Sequence, residues 1–193
     1  MVQAEGRIKI VSQEVLADDW GTLKKWTFAY RRADGTWETQ RRETYDRGDG
    51  AVVLLCNRAR RSVILTRQFR LPAYVNGHGG MLIEACAGLL DADDPEACVV
   101  RETREETGYL IAAPRRIFDA FMSPGSVTER LAFFVAEYEP SARREAGGGV
   151  GDEEIEVLEI LLDDALGMIG RGEIVDAKTI MLLYHAKVHR LVE

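Results

Sequence analysis

The segment DDPEACVVRETREETGY, residues 93–109, decides the reading of the chain. Asp93 or Asp94 can N-cap a helix, Pro95 suits its first position, and Glu96 stands at the positive end of the dipole. Gly108 is a natural C-terminal stop. A helix over about 95–107 is therefore expected, with Ala97, Val100 and Thr103 turned inward. Its last two turns carry Glu102, Glu105 and Glu106. Spacings of three and four put Glu102 beside both others, with Cβ atoms ~5–6 Å apart and a repulsion of roughly 0.2–0.5 kcal/mol per pair. Acids at a helix C-terminus also oppose the dipole, by ~0.3–1 kcal/mol each. Arg101 and Arg104 offset only part of this. A divalent cation would reverse the sign of the cost. Mg²⁺ takes oxygen ligands, so the i, i+4 pair Glu102/Glu106 is a candidate metal site, set against the plainer reading of a solvated acidic face.

Upstream of this helix the pattern is that of strands. Residues 5–16 and 22–32 read as two, and Asp34-Gly35 turns the chain into a third over 37–46. AVVLLC, residues 51–56, is almost wholly apolar, as in a strand buried on both faces. Strand 62–69 follows, then LPAYVNGHGG (71–80), a Pro/Gly-rich loop, and a short strand MLIEAC (81–86). Downstream, strands are expected over 109–121, 130–138 and 155–162, and helices over about 163–171 and 177–191. Many strands with few helices imply an α/β fold, a mixed sheet with helices packed on it.

Composition narrows the class. The chain has 193 residues, 46% hydrophobic, enough for a core without staples. Cys56, Cys86 and Cys98 are odd in number and sit inside apolar patterns, which reads as buried free thiols in a reducing, cytoplasmic compartment. No window reaches the apolar length of a membrane helix. Net charge is −7, which argues against a nucleic acid partner. Charge is uneven, however. Residues 24–70 hold twelve Lys/Arg against five Asp/Glu, and residues 91–106 hold seven acids against two arginines. That polarity suits a small anion bridged by metal.

The spaced set Gly88, Arg101, Glu102, Glu105, Glu106 and Gly108 resembles the Nudix box, usually written G-x₅-E-x₇-R-E-U-x-E-E-x-G-U. Six fixed residues at ~1 in 15 each occur by chance about once in 10⁷ starts. The loop after Gly88 is one residue shorter than usual, Asp93 or Asp94 stands for the first box glutamate, and Thr103 takes the aliphatic position. The likeness extends to YDRGDGAVVLL (45–55), RQFR (67–70), EACAGLLD (84–91), MSPGSVTE (122–129), AGGGVGDEEIEV (146–157) and DAKT (176–179). Together these resemble the nucleotide-sugar and ADP-ribose pyrophosphatase branch, best its GDP-mannose type.

That resemblance implies an α/β/α sandwich around a mixed sheet with an N-terminal β-strand extension. It implies a strand region over 1–46 that joins a homodimer and a hydrolase domain over 47–193. It implies Mg²⁺ or Mn²⁺ held by Glu102, Glu106 and the Ala87 carbonyl beside Gly88 and Leu89. Arg101 would anchor the helix through Glu105, itself a further candidate acid. Glu153, with Asp152 after the Gly147–Gly149 run, would be general base or metal ligand on a mobile loop. Arg70 offers a fork for phosphate oxygens, and Lys178 a second cation. Glu129 would meet metal or sugar. Trp20 would stack on a base, with Arg41, Arg42 and Glu43 reading its edge. Hydrolysis of a nucleotide sugar is the expected activity. Another diphosphate such as ADP-ribose, or a sensing module without turnover, are the competing expectations.

Overall fold

The computed structural model describes residues 6–91 and 93–192, so residues 1–5 of the expected N-terminal region lie outside it. Two compact units emerge. One runs to Asp49 and takes in Phe121–Glu129; the other comprises Gly50–Ala120 and Arg130–Glu193.

The first unit is a three-stranded antiparallel meander, β1 (Ile8–Asp18), β2 (Thr22–Arg31) and β3 (Trp37–Asp46). The Asp34-Gly35 turn joins β2 to β3 as expected, with the Asp34 carboxylate accepting from the Thr36 amide at 2.9 Å. Gly35 takes φ +89°, a conformation that favours glycine. Two register shifts interrupt the pairing of β1 with β2. The Pro124-Gly125 turn belongs here and not with the following domain. The Tyr45 amide donates to the Ser126 carbonyl at 2.8 Å, and the Thr128 amide to the Tyr45 carbonyl at 3.0 Å.

The second unit is a seven-stranded mixed sheet. Its path is β10 (Glu156–Leu161), β5 (Ser62–Phe69), β4 (Gly50–Asn57), β9 (Arg130–Glu137), β8 (Arg115–Phe121). β4 and β9 run parallel, whereas β4 is antiparallel to β5 and β7, and β5 to β6 and β10, which makes the sheet mixed. Every residue of β4 is buried, as its apolar run requires. Its alternate residues Ala51, Val53 and Leu55 share one cluster with Cys98 and Val99 of helix α2 (Pro95–Glu102). Helix α4 (Ala177–Val188) packs on β4 and β6, and its buried Leu182, Leu183 and Ala186 are outside that cluster. The period of two in β4 thus gives each helix its own face of the sheet, which is the expected sandwich. Helix α3 (Leu162–Gly170) lies against α4. Among the described residues no helix is long and apolar enough to cross a membrane.

Four expectations need correction. The stretch 81–86 is not one strand. β6 (Met81–Glu84) pairs with β5, while β7 (Cys86–Leu89) pairs with β4. The chain changes partner at Ala85, whose amide donates instead to Thr179 Oγ1 at 2.7 Å. The loop 71–80 contains a helical turn, α1 (Leu71–Val75), begun by Pro72. The strand expected over 109–121 starts only at Arg115, because Ala113 takes φ +48° and Pro114 cannot donate to a ladder. Finally, the helix expected over 95–107 turns Cys98, Val99, Thr103, Glu106 and Thr107 inward; Ala97 and Val100 are exposed.

Candidate active site

Asp94 caps the helix: its Oδ1 accepts from the amides of Glu96 at 2.9 Å and Ala97 at 3.3 Å. Asp93 does something else, accepting from Arg101 Nε at 3.1 Å. The α-helix gives way after Glu102 to a wider π turn over Thr103–Thr107, a form often found at functional sites. Gly108 ends it at φ +75°. Past that point the chain returns. The amides of Gly148 and Gly149 donate to the carbonyls of Glu106 at 2.8 Å and Glu105 at 3.1 Å. These are carbonyls a helix end would otherwise leave open. The glycine run, expected as a free mobile loop, is therefore a strap hydrogen-bonded to the helix that bears the acids. A Cβ on Gly147 would fall 2.6 Å from the Glu106 carbonyl oxygen, so only glycine passes this close.

Each acid has a different setting. Glu105 pairs with Arg101 Nη1 at 3.3 Å, the i, i+4 contact expected of it. The same nitrogen holds Glu102 Oε1 at 2.8 Å. Burial pushes the Glu102 carboxyl up, Arg101 pulls it partly back, and the charges of Glu105 and Glu153 add to the rise. Its carboxylate lies directly over Gly88, where a Cβ would meet Oε1 at 2.0 Å. Glu106 is 4% exposed. Burial, with smaller contributions from the charges of Glu102 and Glu153, pushes its carboxyl up to about 7; the Cys86 thiol and Arg70 act in the other direction. Its Oε2 is buried with no hydrogen-bond partner among the described residues.

Glu153 stands in the field of both acids, and its Oε2 accepts from the Val150 amide at 3.0 Å. Asp152 beside it is exposed. Ala87, Gly88 and Leu89 form β7, paired with Val52, Ala51 and Gly50, and the Leu89 carbonyl accepts from the Cys98 thiol at 3.3 Å. Arg70 donates through Nε to Glu84 Oε2 at 2.7 Å. Lys178 is held between two acids. It is 13% exposed and bonded to Glu84 at 2.5 Å and Asp176 at 2.9 Å. Burial lowers its affinity for the proton, but those two carboxylates more than offset this and keep it raised. Glu84, buried in a strand end, is the residue that the sequence reading missed. Its signal was an acid inside the otherwise apolar MLIEAC.

The residues fit a divalent cation on two counts. A buried carboxylate oxygen with nothing to bond is costly unless something of opposite charge reaches it. The space above Gly88 is filled by a second carboxylate, at a point where any larger residue would displace it. Among the described residues no three His, Cys, Asp or Glu side chains are already gathered into a closed cage. Like charges do not converge unaided, and here Arg101 and the Val150 amide hold two of the acids instead.

The remaining candidates belong to the first unit. Trp20 is 75% exposed, so it is no core residue, and the Arg47 guanidinium lies 4.9 Å from its ring centre. Arg41, Arg42 and Glu43 are successive residues of β3 opposite Thr27, Trp26 and Lys25. Alternation sends Arg41 and Glu43 to one face of this edge strand and Arg42 to the other. Glu129 closes the Pro-Gly turn, its carbonyl accepting from the Met122 amide at 3.4 Å.

Comparison with known proteins agrees with this geometry. Residues 7–45 match the model described as GDP-mannose pyrophosphatase NudK N-terminal domain, and residues 46–183 match the NUDIX domain model. The chain is 57% identical to a GDP-mannose pyrophosphatase of Pectobacterium atrosepticum, over 93% of each chain. It is 50% identical to one from Klebsiella pneumoniae, over 96% of this chain and 94% of the other. A solved structure titled "Crystal structure of ADP compounds hydrolase" shares the fold with TM-score 0.73 at 16% identity, covering 94% of this chain and 92% of that one. Hydrolases with this domain generally use divalent metals, in keeping with the acids at the helix end. The chain belongs to the Nudix hydrolase family.

Proposed function

We propose that this chain hydrolyses the diphosphate bridge of GDP-mannose, giving GMP and mannose 1-phosphate, with Mg²⁺ as its ion and Mn²⁺ as a substitute. The observation that carries the reading is the match of both parts of the chain to GDP-mannose pyrophosphatases, with Glu102, Glu105 and Glu106 all present. A sensing module would have no use for a buried Glu106 carboxylate with one oxygen left open among the described residues. The likeness to the ADP-compound hydrolase supports the fold and carries no argument for an adenine substrate.

Glu102, Glu106 and the Ala87 carbonyl would hold the ion. When bound, it would neutralise diphosphate charge and ease deprotonation of water. The residues do the rest. Arg70 and Lys178 would bind phosphate oxygens. Glu153 would take the proton of the attacking water at Oε1, since Oε2 is engaged by the Val150 amide. Glu105 would keep Arg101 in place. Asp152 and Glu129 would meet the sugar side. Trp20 would stack on the base, while Arg41 donates to the guanine carbonyl and Glu43 accepts from its amino group. A site built for one base leaves groups unpaired with another, at about 1–3 kcal/mol each. GDP-mannose should therefore exceed ADP-ribose in kcat/KM by about five- to hundredfold at equal Mg²⁺, and Glu43→Ala should narrow the ratio. Faster hydrolysis of ADP-ribose would overturn the substrate assignment. An unchanged ratio in Glu43→Ala would overturn only the role of Glu43.

Ion binding should be coupled to proton release. The Glu106 carboxyl, raised to about 7, must lose its proton to become a ligand. Between pH 8 and pH 6 the apparent Mg²⁺ affinity should fall roughly tenfold. Calorimetric titration at the two pH values measures this, and equal affinities would exclude Glu106 from the site.

The protein would act as a homodimer in the cytoplasm. All three cysteines are free and buried, in keeping with a reducing compartment. All eleven residues of β1 are exposed, including Ile8, Ile10, Val11, Val15 and Leu16. An open apolar edge strand of that length favours pairing with a second copy. Light scattering at micromolar concentration should give twice the monomer mass; a monomer would refute the pairing.

A further inference from the structure

We infer that Glu84 is a positioning residue for the substrate diphosphate, its single buried carboxylate aiming the Arg70 guanidinium and the Lys178 ammonium together. The inference rests on the phosphate-binding roles proposed above for those two cations, and it concerns a residue to which that reading gives no part.

Glu84 is the last residue of β6 and is 3% exposed. Its two oxygens are divided between two cations, Oε2 accepting from Arg70 Nε at 2.7 Å and Oε1 from Lys178 Nζ at 2.5 Å. An arginine kept only to neutralise a buried acid would present its two-nitrogen fork to it. Arg70 gives Glu84 only Nε, and among the described residues its two terminal nitrogens make no hydrogen bond. With Nε fixed, the plane of the guanidinium is fixed, and the terminal pair is left for two oxygens of a ligand. Arg70 remains 38% exposed, and it is close enough to the acids for its charge to be felt by Glu106.

Lys178 is fixed from two sides, leaving one ammonium hydrogen. Its second acid, Asp176, is itself tied down. Asp176 Oδ2 accepts from the Thr179 amide at 3.0 Å and from Thr179 Oγ1 at 2.6 Å, while Thr179 Oγ1 accepts from the amide of Ala85, the neighbour of Glu84. The ends of β5 and β6 and the start of α4 are thereby pinned as one unit. Two acids balance two cations, so the buried charges are tolerated, and loss of one member leaves its partners misdirected. Preorganisation of this kind is what lets cations act on a diphosphate without first being ordered by it.

Glu84→Gln keeps the shape, but its one carbonyl oxygen can hold only one of the cations. For GDP-mannose, kcat/KM should fall ten- to hundredfold, chiefly through KM, while the Mg²⁺ affinity measured by calorimetric titration stays as in the unaltered protein. In an Arg70→Ala background the same substitution should lower kcat/KM by no more than threefold further. A Glu84→Gln enzyme within threefold of the original, or a double variant in which the two losses multiply in full, would overturn the inference. Should Glu84→Gln fail to fold, Arg70→Lys takes its place, since it keeps the charge but loses Nε and the fork. Its KM should rise at least tenfold with the Mg²⁺ affinity intact, and an unchanged KM would overturn the inference. If the protein turns over no GDP-mannose at all, the substrate reading fails separately. Binding of inorganic pyrophosphate to the same variants then decides, and the positioning role requires that Glu84→Gln still weaken it tenfold.

Discussion

Glu106→Gln should lower kcat by about 10³–10⁵, a loss of ~4–7 kcal/mol of transition-state stabilisation, and should leave the fold intact. The burial that suits Glu106 to its proposed role as a metal ligand is also a burden when no cation is bound. Its carboxyl is raised above the ordinary value, so the folded state holds this proton more tightly than the unfolded chain does. The group therefore favours folding least once pH has risen through about 7, and below the unfolded value near 4.5 that handicap is gone. In EDTA at pH 8 the glutamine variant should melt above the unaltered protein, and at pH 4 the advantage should vanish. Activity above a tenth of the original at saturating Mg²⁺ would remove Glu106 from the metal site. A variant that melts lower at pH 8 would contradict the account of its burial.

Gly88→Ala is the second large effect, and it separates activity from stability in the opposite way to most core substitutions. The added methyl would fall 2.0 Å from Glu102 Oε1 and 2.2 Å from its Cδ. Glycine at this position does not take a positive φ, so alanine is not strained by the backbone. What must yield is the flexible end of a glutamate. The fold should survive with a change in Tm of a few degrees, while kcat/KM falls by about 10²–10³ because Glu102, the proposed metal ligand, is displaced. Circular dichroism with steady-state kinetics tests both halves. More than a third of the original activity would mean that Glu102 can serve from another rotamer.

Much of this was readable in advance where the determinants are local. The Asp94 cap, Pro95, the Gly108 stop and the Arg101–Glu105 pair lie within one helix, and fixed spacing on a helix is a direct statement about neighbours. The strands of the meander and the buried run of β4 follow from alternation and composition in the same way. What escaped was set by distant partners. The helix end is held by amides some forty residues later in Gly148 and Gly149, so nothing in residues 93–109 reveals the strap. The change of sheet partner at Ala85 depends on Thr179. Glu84 needs Arg70 and Lys178, drawn from three elements, before its burial makes sense. Alternation in β3, a local rule too, already separates Arg42 from Arg41 and Glu43 in the direction of their side chains.

The chain passes between its two units three times, since Phe121–Glu129 belongs with the N-terminal strands. This bears on how the protein is made. A nascent chain that has emerged as far as Asp46 already contains β1, β2 and β3, yet Tyr45 still lacks the partners it finds at Ser126 and Thr128. The second unit waits longer still, because β4 pairs in parallel with Arg130–Glu137 and β5 with Glu156–Leu161. Neither unit can close until about two-thirds of the polypeptide has left the ribosome. The N-terminal strands, apolar and open, must spend that interval incomplete, which is the period when a growing chain is most exposed to wrong pairing.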